Sequence, residues 1–360
     1  MTLSYGDEYP IHQTPDPIAF SGTDRNFYDR YFFNGYAQDG TGFFALAFGV
    51  YPHLNVADAH FSFIRDGVQH SLHASCELGM ERMSLKVGPI SIEVIEPLKA
   101  LRVTIAETDG IAGEFEFTGR SFPIEEPRFI HRIGSRAFMD YTRMTQNGHF
   151  TGWITLDGVR EDLAEGTMGT RDRSWGIRPV GARDPQPNPG HEALQFFWQW
   201  TPINLEDGSL FFHINADAHG NAWNTRAAFA PDGASAGEII EGSASLSSQT
   251  QAGSRWPAGG VLSGISPQGA PQELTLVPLE RFQMKGLGYT HPVWGHGIHH
   301  GPVKVEREAY ELDSLDPAQF DNRHVQMICR IEDDKGNAKG VGVFEQLILG
   351  DYAPLGLEGI

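Results

Sequence analysis

Cysteine occurs only at Cys76 and Cys329 in 360 residues. That is too few for a disulfide framework, and the two lack the close spacing of a metal knuckle, so both read as buried free thiols. Long apolar runs are missing as well: none approaches the roughly 20 residues that span a bilayer. The start, MTLSYGDEYPIHQTPDPIAF, has neither a basic nor an apolar signal segment. A cytoplasmic protein without membrane insertion is the expectation. Basic residues are scarce, 27 Lys plus Arg against 46 Asp plus Glu, for a formal charge of -19. A field of that sign repels phosphate backbones and anionic lipid, so nucleic acid is not an expected partner. A P-loop, a Rossmann glycine fingerprint, an HExxH helix and a G-x-S-x-G elbow are all absent. Nucleotide cofactors and serine hydrolysis lose ground, and chemistry without a cofactor is expected.

The 40% hydrophobic and 20% charged composition is that of a chain that folds, and the length suits two domains, each with its own core. Between 42 glycines and 22 prolines the apolar residues alternate with period two, the mark of β-strands. Clear cases are 43–50, 91–95, 100–105, 152–156, 210–217, 274–277, 325–331 and 341–349. Short helices are expected only at 317–320 and near 161–164. Phe32-Phe33, Asp39-Gly40, Phe43-Phe44 and Asp66-Gly67 are echoed by Phe196-Phe197, Asp207-Gly208, Phe211-Phe212 and Asp232-Gly233. Asp-Gly between alternating strands marks a hairpin, so the echo predicts a duplicated β architecture. The Pro- and Gly-rich stretch 179–191 predicts a boundary, with domains at 1–185 and 186–360. The Ser, Gly and Ala-rich stretch 233–264 predicts a long excursion or lid.

The densest chemical segment is Gly169-Thr-Arg-Asp-Arg-Ser-Trp-Gly-Ile-Arg178. Asp172 can pair with Arg171, Arg173 or Arg178, and Trp175 offers a face for a guanidinium, which makes a rigid polar plug. In a functional reading Asp172 is an acid or base and Trp175 walls a pocket. Arginine partners would depress the Asp172 pKa and suit it to a base or orienting role. Arg171-Asp-Arg-Ser-Trp-Gly176 with Arg178 resembles the signature of a lipocalin-like superfamily of tandem β-barrels that includes carotenoid 1,2-hydratases, AttH-type proteins and fungal survival-factor proteins. Tyr31-Phe-Phe-Asn-Gly35, Gly49-Val-Tyr-Pro52, Tyr141-Thr-Arg-Met-Thr-Gln-Asn-Gly148 and His291-Pro-Val-Trp-Gly-His296-Gly resemble motifs of its bacterial members. The resemblance runs from about Phe27 to Tyr352. It implies an all-β chain of two tandem lipocalin-like antiparallel barrels packed side by side. In the hydratases a histidine stands two residues before the tryptophan, where this chain has Arg173. Arginine holds its proton at any working pH, so that mechanism does not carry over at this position.

Three further segments offer acid or base. The cluster His291 to His300 has no Cys or carboxylate at ligand spacing, so no metal is expected; His296 or His299 is an acid/base candidate, with Tyr289 a phenol donor and Trp294 an aromatic wall. Along 210–217, Phe211, His213, Asn215 and Asp217 share a face that is either solvated or lines a polar cavity. Trp198 and Trp200 share a face with Phe196, forming an aromatic strip that is core or pocket wall. Glu345 alternates with Val341, Val343 and Leu347, so burial should raise its pKa and make it a proton donor. The expected activity is a cofactor-independent hydratase or dehydratase acting on an isoprenoid-like or other lipophilic alcohol or alkene. Glu345, His213 or His296 would be the acid or base, Trp175, Trp198 and Trp200 the wall, and Asp172, Arg173 and Arg178 the orienting network. A lipid or terpenoid binding protein without turnover, or an isomerase or cyclase of the kind found among pericyclase relatives, are the alternatives.

Overall fold

The computed structural model describes residues 11–20, 24–183, 186, 195–265 and 272–359. Among them there is no α-helix; short 3-10 turns are the only helical pieces. The first sheet is built from β1 (Phe27–Tyr36), β2 (Phe44–Tyr51), β3 (Val56–Arg65), β4 (Val68–Glu77), β5 (Lys86–Val87), β6 (Ile90–Glu96), β7 (Ala100–Thr108), β8 (Ile111–Gly119), β9 (Ile124–Glu125), β10 (Phe129–Ile133), β11 (Arg136–Leu156), β12 (Val159–Asp162) and β13 (Met168–Ile177). The second takes β14 (Phe196–Leu205), β15 (Gly208–Ala216), β16 (Ala222–Pro231), β17 (Ile240–Gly242), β18 (Ser245–Thr250), β19 (Pro257–Gly264), β20 (Gln272–Gln283), β22 (Val325–Glu332) and β23 (Ala338–Leu349). All pairing is antiparallel. The first sheet forms a nearly closed barrel and the second a half-barrel, the all-β tandem arrangement that the alternation predicts.

One strand crosses between the halves. β21 (Val303–Glu311) comes from the second half of the chain but pairs with β4 along its length, Val303 opposite Cys76 through Glu311 opposite Val68, and covers that edge of the first sheet.

Turn chemistry explains the register. Asp66 and Gly67 both have positive φ, 53° and 76°, as the two-residue turn between β3 and β4 requires. The corresponding Asp232-Gly233 follows β16, so the meanders β1 to β4 and β14 to β17 carry Asp-Gly at matching turns. Two expectations need correction. The stretch 233–264 is not a structureless lid: its small, alternating residues form β17, β18 and β19 at the edges of the second sheet. Residues 161 and 162 belong to β12, and near 317–320 there is only the 3-10 turn Phe320–Asn322, because neither segment is long enough to offset helix nucleation. Most of the predicted boundary, 184–185 and 187–191, lies outside the described residues.

Five apolar clusters follow, of which the three largest define the architecture. Phe33, Phe48, Phe61 and Phe117 belong to the one inside the first barrel; Phe212, Phe229, Leu274 and Phe344 belong to the one inside the second sheet. The third of these draws on both sheets, with Phe32, Tyr36 and Phe129 from the first and Trp198, Trp200, Phe211 and Val343 from the second. This junction also holds buried charge, in Arg30, Glu126, Asp172 and Glu345.

Candidate functional site

Period-two alternation decides which side chains reach the junction. Arg30, Phe32 and Asn34 come from β1, Arg143 and Thr145 from β11, and Asp172 from β13, where it stands directly opposite Phe32 and Thr145. Across from them the register sets Trp200 opposite both His213 and Glu345, and Gln326 opposite Glu345. The face of β15 that carries Phe211 and His213 is therefore buried, not solvated. Polar groups in such a place must find partners or carry a large desolvation cost.

Glu126, just beyond β9, has its side chain fully buried. It accepts from Arg143 Nη2 at 2.5 Å and Nε at 2.9 Å, and from Thr145 Oγ1 at 2.5 Å. Burial alone would raise its pKa, but Arg143 and His213 outweigh that and hold it below the ordinary carboxylate value. The Arg143 guanidinium lies 4.5 Å from the Trp198 ring, 5.0 Å from Phe129 and 5.8 Å from Trp200. The aromatic strip thus already faces a resident cation. His213 touches Glu126 through Nδ1 at 3.6 Å. Its other nitrogen is 3.1 Å from Asn224 Oδ1, and the Asn224 amide nitrogen donates to the Pro127 carbonyl at 3.3 Å. That orients Asn224 as an acceptor, so the proton of neutral His213 sits on Nε2 and Nδ1 keeps a lone pair with no hydrogen-bond partner. Burial, with a smaller contribution from Arg143, pushes the His213 pKa down to about 4 against the pull of Glu126.

The two remaining junction carboxylates differ from expectation in opposite directions. Glu345 is buried as predicted, yet it accepts from Trp198 Nε1 at 2.9 Å, His324 Nε2 at 2.8 Å and Gln326 Nε2 at 2.6 Å. Burial would raise its pKa, but these donors bring it below the ordinary value, so the expected proton donor is a held carboxylate. Asp172 is 8% exposed and has no hydrogen bond to its carboxylate among the described residues. Burial pushes its pKa up to about 6, with Glu126 and Glu345 adding to the rise and Arg143 and Arg30 opposing it. The predicted pairing of Asp172 with Arg171 or Arg173 fails because alternation turns those arginines to the other face of β13. Arg173 pairs instead with Asp29 and stacks 4.0 Å over Tyr31, while Arg178 stacks 4.5 Å over Tyr28.

The histidine-rich loop divides between two places. His296 Nδ1 meets Arg30 Nη1 at 2.8 Å and Arg178 Nη2 at 3.2 Å, so its proton is on Nε2, which donates to the Leu287 carbonyl at 2.8 Å. Burial and the two arginines hold its pKa well below the ordinary value. His296 is a fixed neutral acceptor here and not a proton carrier. Tyr289 packs edge-on between His296 and His324, at 4.5 and 4.8 Å, with Arg30 4.6 Å over its ring. Trp294 is buried away from the junction, stacked on His73 at 5.4 Å. His299 is exposed and faces Glu77 at 3.3 Å, and Trp175 is 40% exposed on the outer part of β13.

His73, His291 and Glu308 bring one ligand atom each into a small cluster. Glu308 Oε2 is 3.3 Å from His73 Nε2 and 3.0 Å from His291 Nε2, close to the edge of a tetrahedral zinc site, about 3.3 Å for bonds near 2.0 Å. The outer nitrogen of His291 tells against a metal. His291 Nδ1 accepts from the amides of Val293 and Trp294, at 3.1 and 2.8 Å, which fixes its proton on Nε2, pointing at Glu308. A ligating imidazole normally donates from its other nitrogen; here a metal would require both nitrogens bare. The donor set suits a hydrogen-bonded chain, continued by His73 Nδ1 to His60 Nδ1 at 2.9 Å, that ties β4, the loop and β21 together.

A surface cleft of about 660 Å³ opens over Glu126, between Phe122 and Arg128 of the first half and Thr225, Arg226 and Glu241 of the second. Behind its floor Glu126 meets Thr145 and His213, and Thr145 stands opposite Asp172 across β11 and β13. Glu126, Asn224 and His324 carry no signal in the sequence; Arg143 lies in the segment 141–148 but only its position in β11 shows its part.

The crystal structure of CghA with Sch210972 is similar to this chain at TM-score 0.52 and 11% identity, covering 90% of this chain and 89% of that one. The crystal structure of CghA alone gives the same score and identity over 91% and 90%. At that identity the likeness concerns the fold alone. No curated protein matches the chain. A family model matches residues 3–358, so the chain belongs to a family of unknown function, DUF8625.

Proposed function

We propose that the junction is an acid–base active site that works without a cofactor, adding water to or eliminating it from a small lipophilic alcohol or alkene that enters through the cleft over Glu126. Asp172 is the proton donor and His213 the proton acceptor. In elimination, protonated Asp172 gives its proton to the leaving hydroxyl, His213 Nδ1 takes a proton from the neighbouring carbon, and the C–O bond breaks to leave alkene and water. His213 then releases its proton to water and Asp172 takes one up from water, which restores both groups; hydration is the reverse. One observation carries this reading: two buried groups lie near Glu126, His213 with its Nδ1 3.6 Å from that carboxylate and without a hydrogen bond, and Asp172 opposite the Thr145 that bonds it, and their titrations are pushed in opposite senses. Groups held apart in this way divide into acid and base. Asp172 keeps its proton below about 6 and His213 its lone pair above about 4, so both are ready near pH 5.

The likeness to a protein crystallised with a small molecule, Sch210972, is compatible with a ligand in such a scaffold. The resident Arg143 on the aromatic strip favours a second reading, binding without turnover, because it occupies the faces a carbocation would need. Native mass spectrometry of the purified chain, followed by incubation of the extracted ligand in heavy-oxygen water, separates these. Label appearing in or leaving the ligand with wild type but not with Asp172→Asn supports catalysis. An unchanged, unlabelled ligand supports binding, and a rearranged, unlabelled one an isomerase or cyclase.

A further inference from the structure

Two guanidiniums beside the junction lack a counter-charge. Arg30 is 1% exposed, and Arg178, just past β13, is partly exposed. Both reach a single nitrogen, His296 Nδ1, from Arg30 Nη1 at 2.8 Å and Arg178 Nη2 at 3.2 Å. Arg30 Nη2 has only the Leu287 carbonyl, at 3.4 Å, and the Nε atoms of both arginines are buried without a partner. Neither arginine forms an ion pair with a carboxylate among the described residues. Asp58 on β3 is taken up by the Tyr51 hydroxyl at 3.0 Å and the Gly297 amide at 2.7 Å. Asp172 stands opposite Phe32 and hydrogen-bonds to neither arginine. One neutral imidazole does not balance two cations that meet on it, and like charges brought together out of water repel. In a chain of net charge -19 such a pair is out of keeping with its surroundings.

The register shows how the pair can be reached. On the face of the first sheet that meets the second half, Arg30, Ser174 and Arg143 form one row across β1, β13 and β11, and Tyr28, Gly176 and Tyr141 form the next. The middle of each row is a small residue, so a lane floored by Ser174 and Gly176 runs from Arg178 toward Asp172. Tyr289 lies over it, its ring 4.6 Å from the Arg30 guanidinium and 5.7 Å from that of Arg178. Gly176, Arg178, Tyr141, Tyr289 and His296 are all partly exposed. The cations are therefore open to a ligand along this lane, on the outer wall of the first barrel and away from its interior.

We infer that Arg30 and Arg178 form an anion site beneath the loop that carries His296, and that it takes a carboxylate. A guanidinium binds a carboxylate through parallel N–H donors, and Arg178 has only one of its nitrogens engaged, so a carboxylate supplies both the missing acceptor and the missing charge. The carboxylate is a free ion or the head group of a junction ligand whose tail follows the lane along Tyr141. The second case rests on the reading of the junction as a substrate site; the anion site itself does not depend on turnover.

Titration calorimetry of the full chain with decanoate and with decanamide tests the assignment, because the two probes differ in head-group charge and little in shape. Wild type should bind decanoate at least about tenfold more tightly than the amide, the gain expected of a charge-assisted contact. Arg178→Met should abolish that preference. If Arg178→Met fails to fold, Arg178→Lys keeps the charge but loses the paired donors, and the preference should fall at least about threefold. Displacement of decanoate by excess acetate marks a site for a free carboxylate, and decanoate binding that acetate leaves intact marks a head-group site. The preference should persist in Asp172→Asn, so that anion binding and junction chemistry can fail separately. Equal affinity of wild type for both probes, no binding of decanoate, or a preference that survives in Arg178→Met or is unchanged in Arg178→Lys overturns the inference.

Discussion

Asp172→Asn should make the protein more stable at neutral pH, and by an amount that can be worked from its surroundings. Folding pushes the Asp172 pKa from the ordinary 3.8 to about 6, chiefly through burial. At 1.36 kcal/mol per tenfold, that difference is about 3 kcal/mol. A carboxylate raised by folding contributes fully below its unfolded pKa, where it is protonated in both states, and the contribution is lost as pH rises through the folded pKa. Wild type therefore forfeits up to about 3 kcal/mol between pH 4 and pH 7 at this one residue. Asparagine has the shape of the neutral acid and never ionises. The variant should exceed wild type by up to about 3 kcal/mol at pH 7 and match it near pH 4, measured by urea unfolding of both proteins at each pH. Equal midpoints at pH 7, or the same gain at both pH values, would mean that the carboxylate has a partner and that the reasoning about it is wrong. Loss of turnover in the stabilised variant would mark Asp172 as a group kept for function at a cost in stability.

Other outcomes follow from the same packing. Glu126→Gln leaves Arg143 charged among Trp198, Phe129 and Trp200 and should cost about 3–5 kcal/mol; Glu126→Leu combined with Arg143→Met removes both charges and should recover most of that by thermal unfolding. His73 is held neutral by burial with its pKa down to about 4, so the unfolded chain takes up a proton there first and stability falls as pH drops from 6.5 toward 4. His73→Phe should flatten that part of the pH dependence, and an unaltered slope would argue against a neutral imidazole. A Cβ at Gly169 would stand 1.9 Å from the Asn34 carbonyl oxygen, so Gly169→Ala must part β1 from β13 and should cost about 3 kcal/mol, with an unshifted melting midpoint counting against this register.

Period-two alternation and Asp-Gly turns made the strands legible, because both are local properties of the chain. The same rule, applied to 169–178, separates Asp172 from Arg171 and Arg173; treating that run as one charged cluster hid the alternation. Glu345 was recognisable as buried from its apolar neighbours, but its pKa depends on His324, Gln326 and Trp198, which only the pairing of β14, β22 and β23 brings to it. Glu126 lies outside any patterned strand and meets Arg143 and His213 through tertiary contacts, so no spacing announces it. Likewise Trp294 and His299 looked like one cluster with His296, whereas the loop sends them to three environments.

The pairing of β21 with β4 has a consequence for synthesis. β4 ends at Glu77 and its partner begins at Val303, so well over 200 residues separate them in the order of translation. At roughly 5–20 residues per second, the edge of β4 waits about 10–45 s for its cover. During that time His70, His73 and Cys76 belong to an open edge able to pair with another nascent chain. A truncation that stops before residue 303 would make the wait permanent, so the first barrel prepared alone is expected to aggregate even though every strand of its own sequence is present.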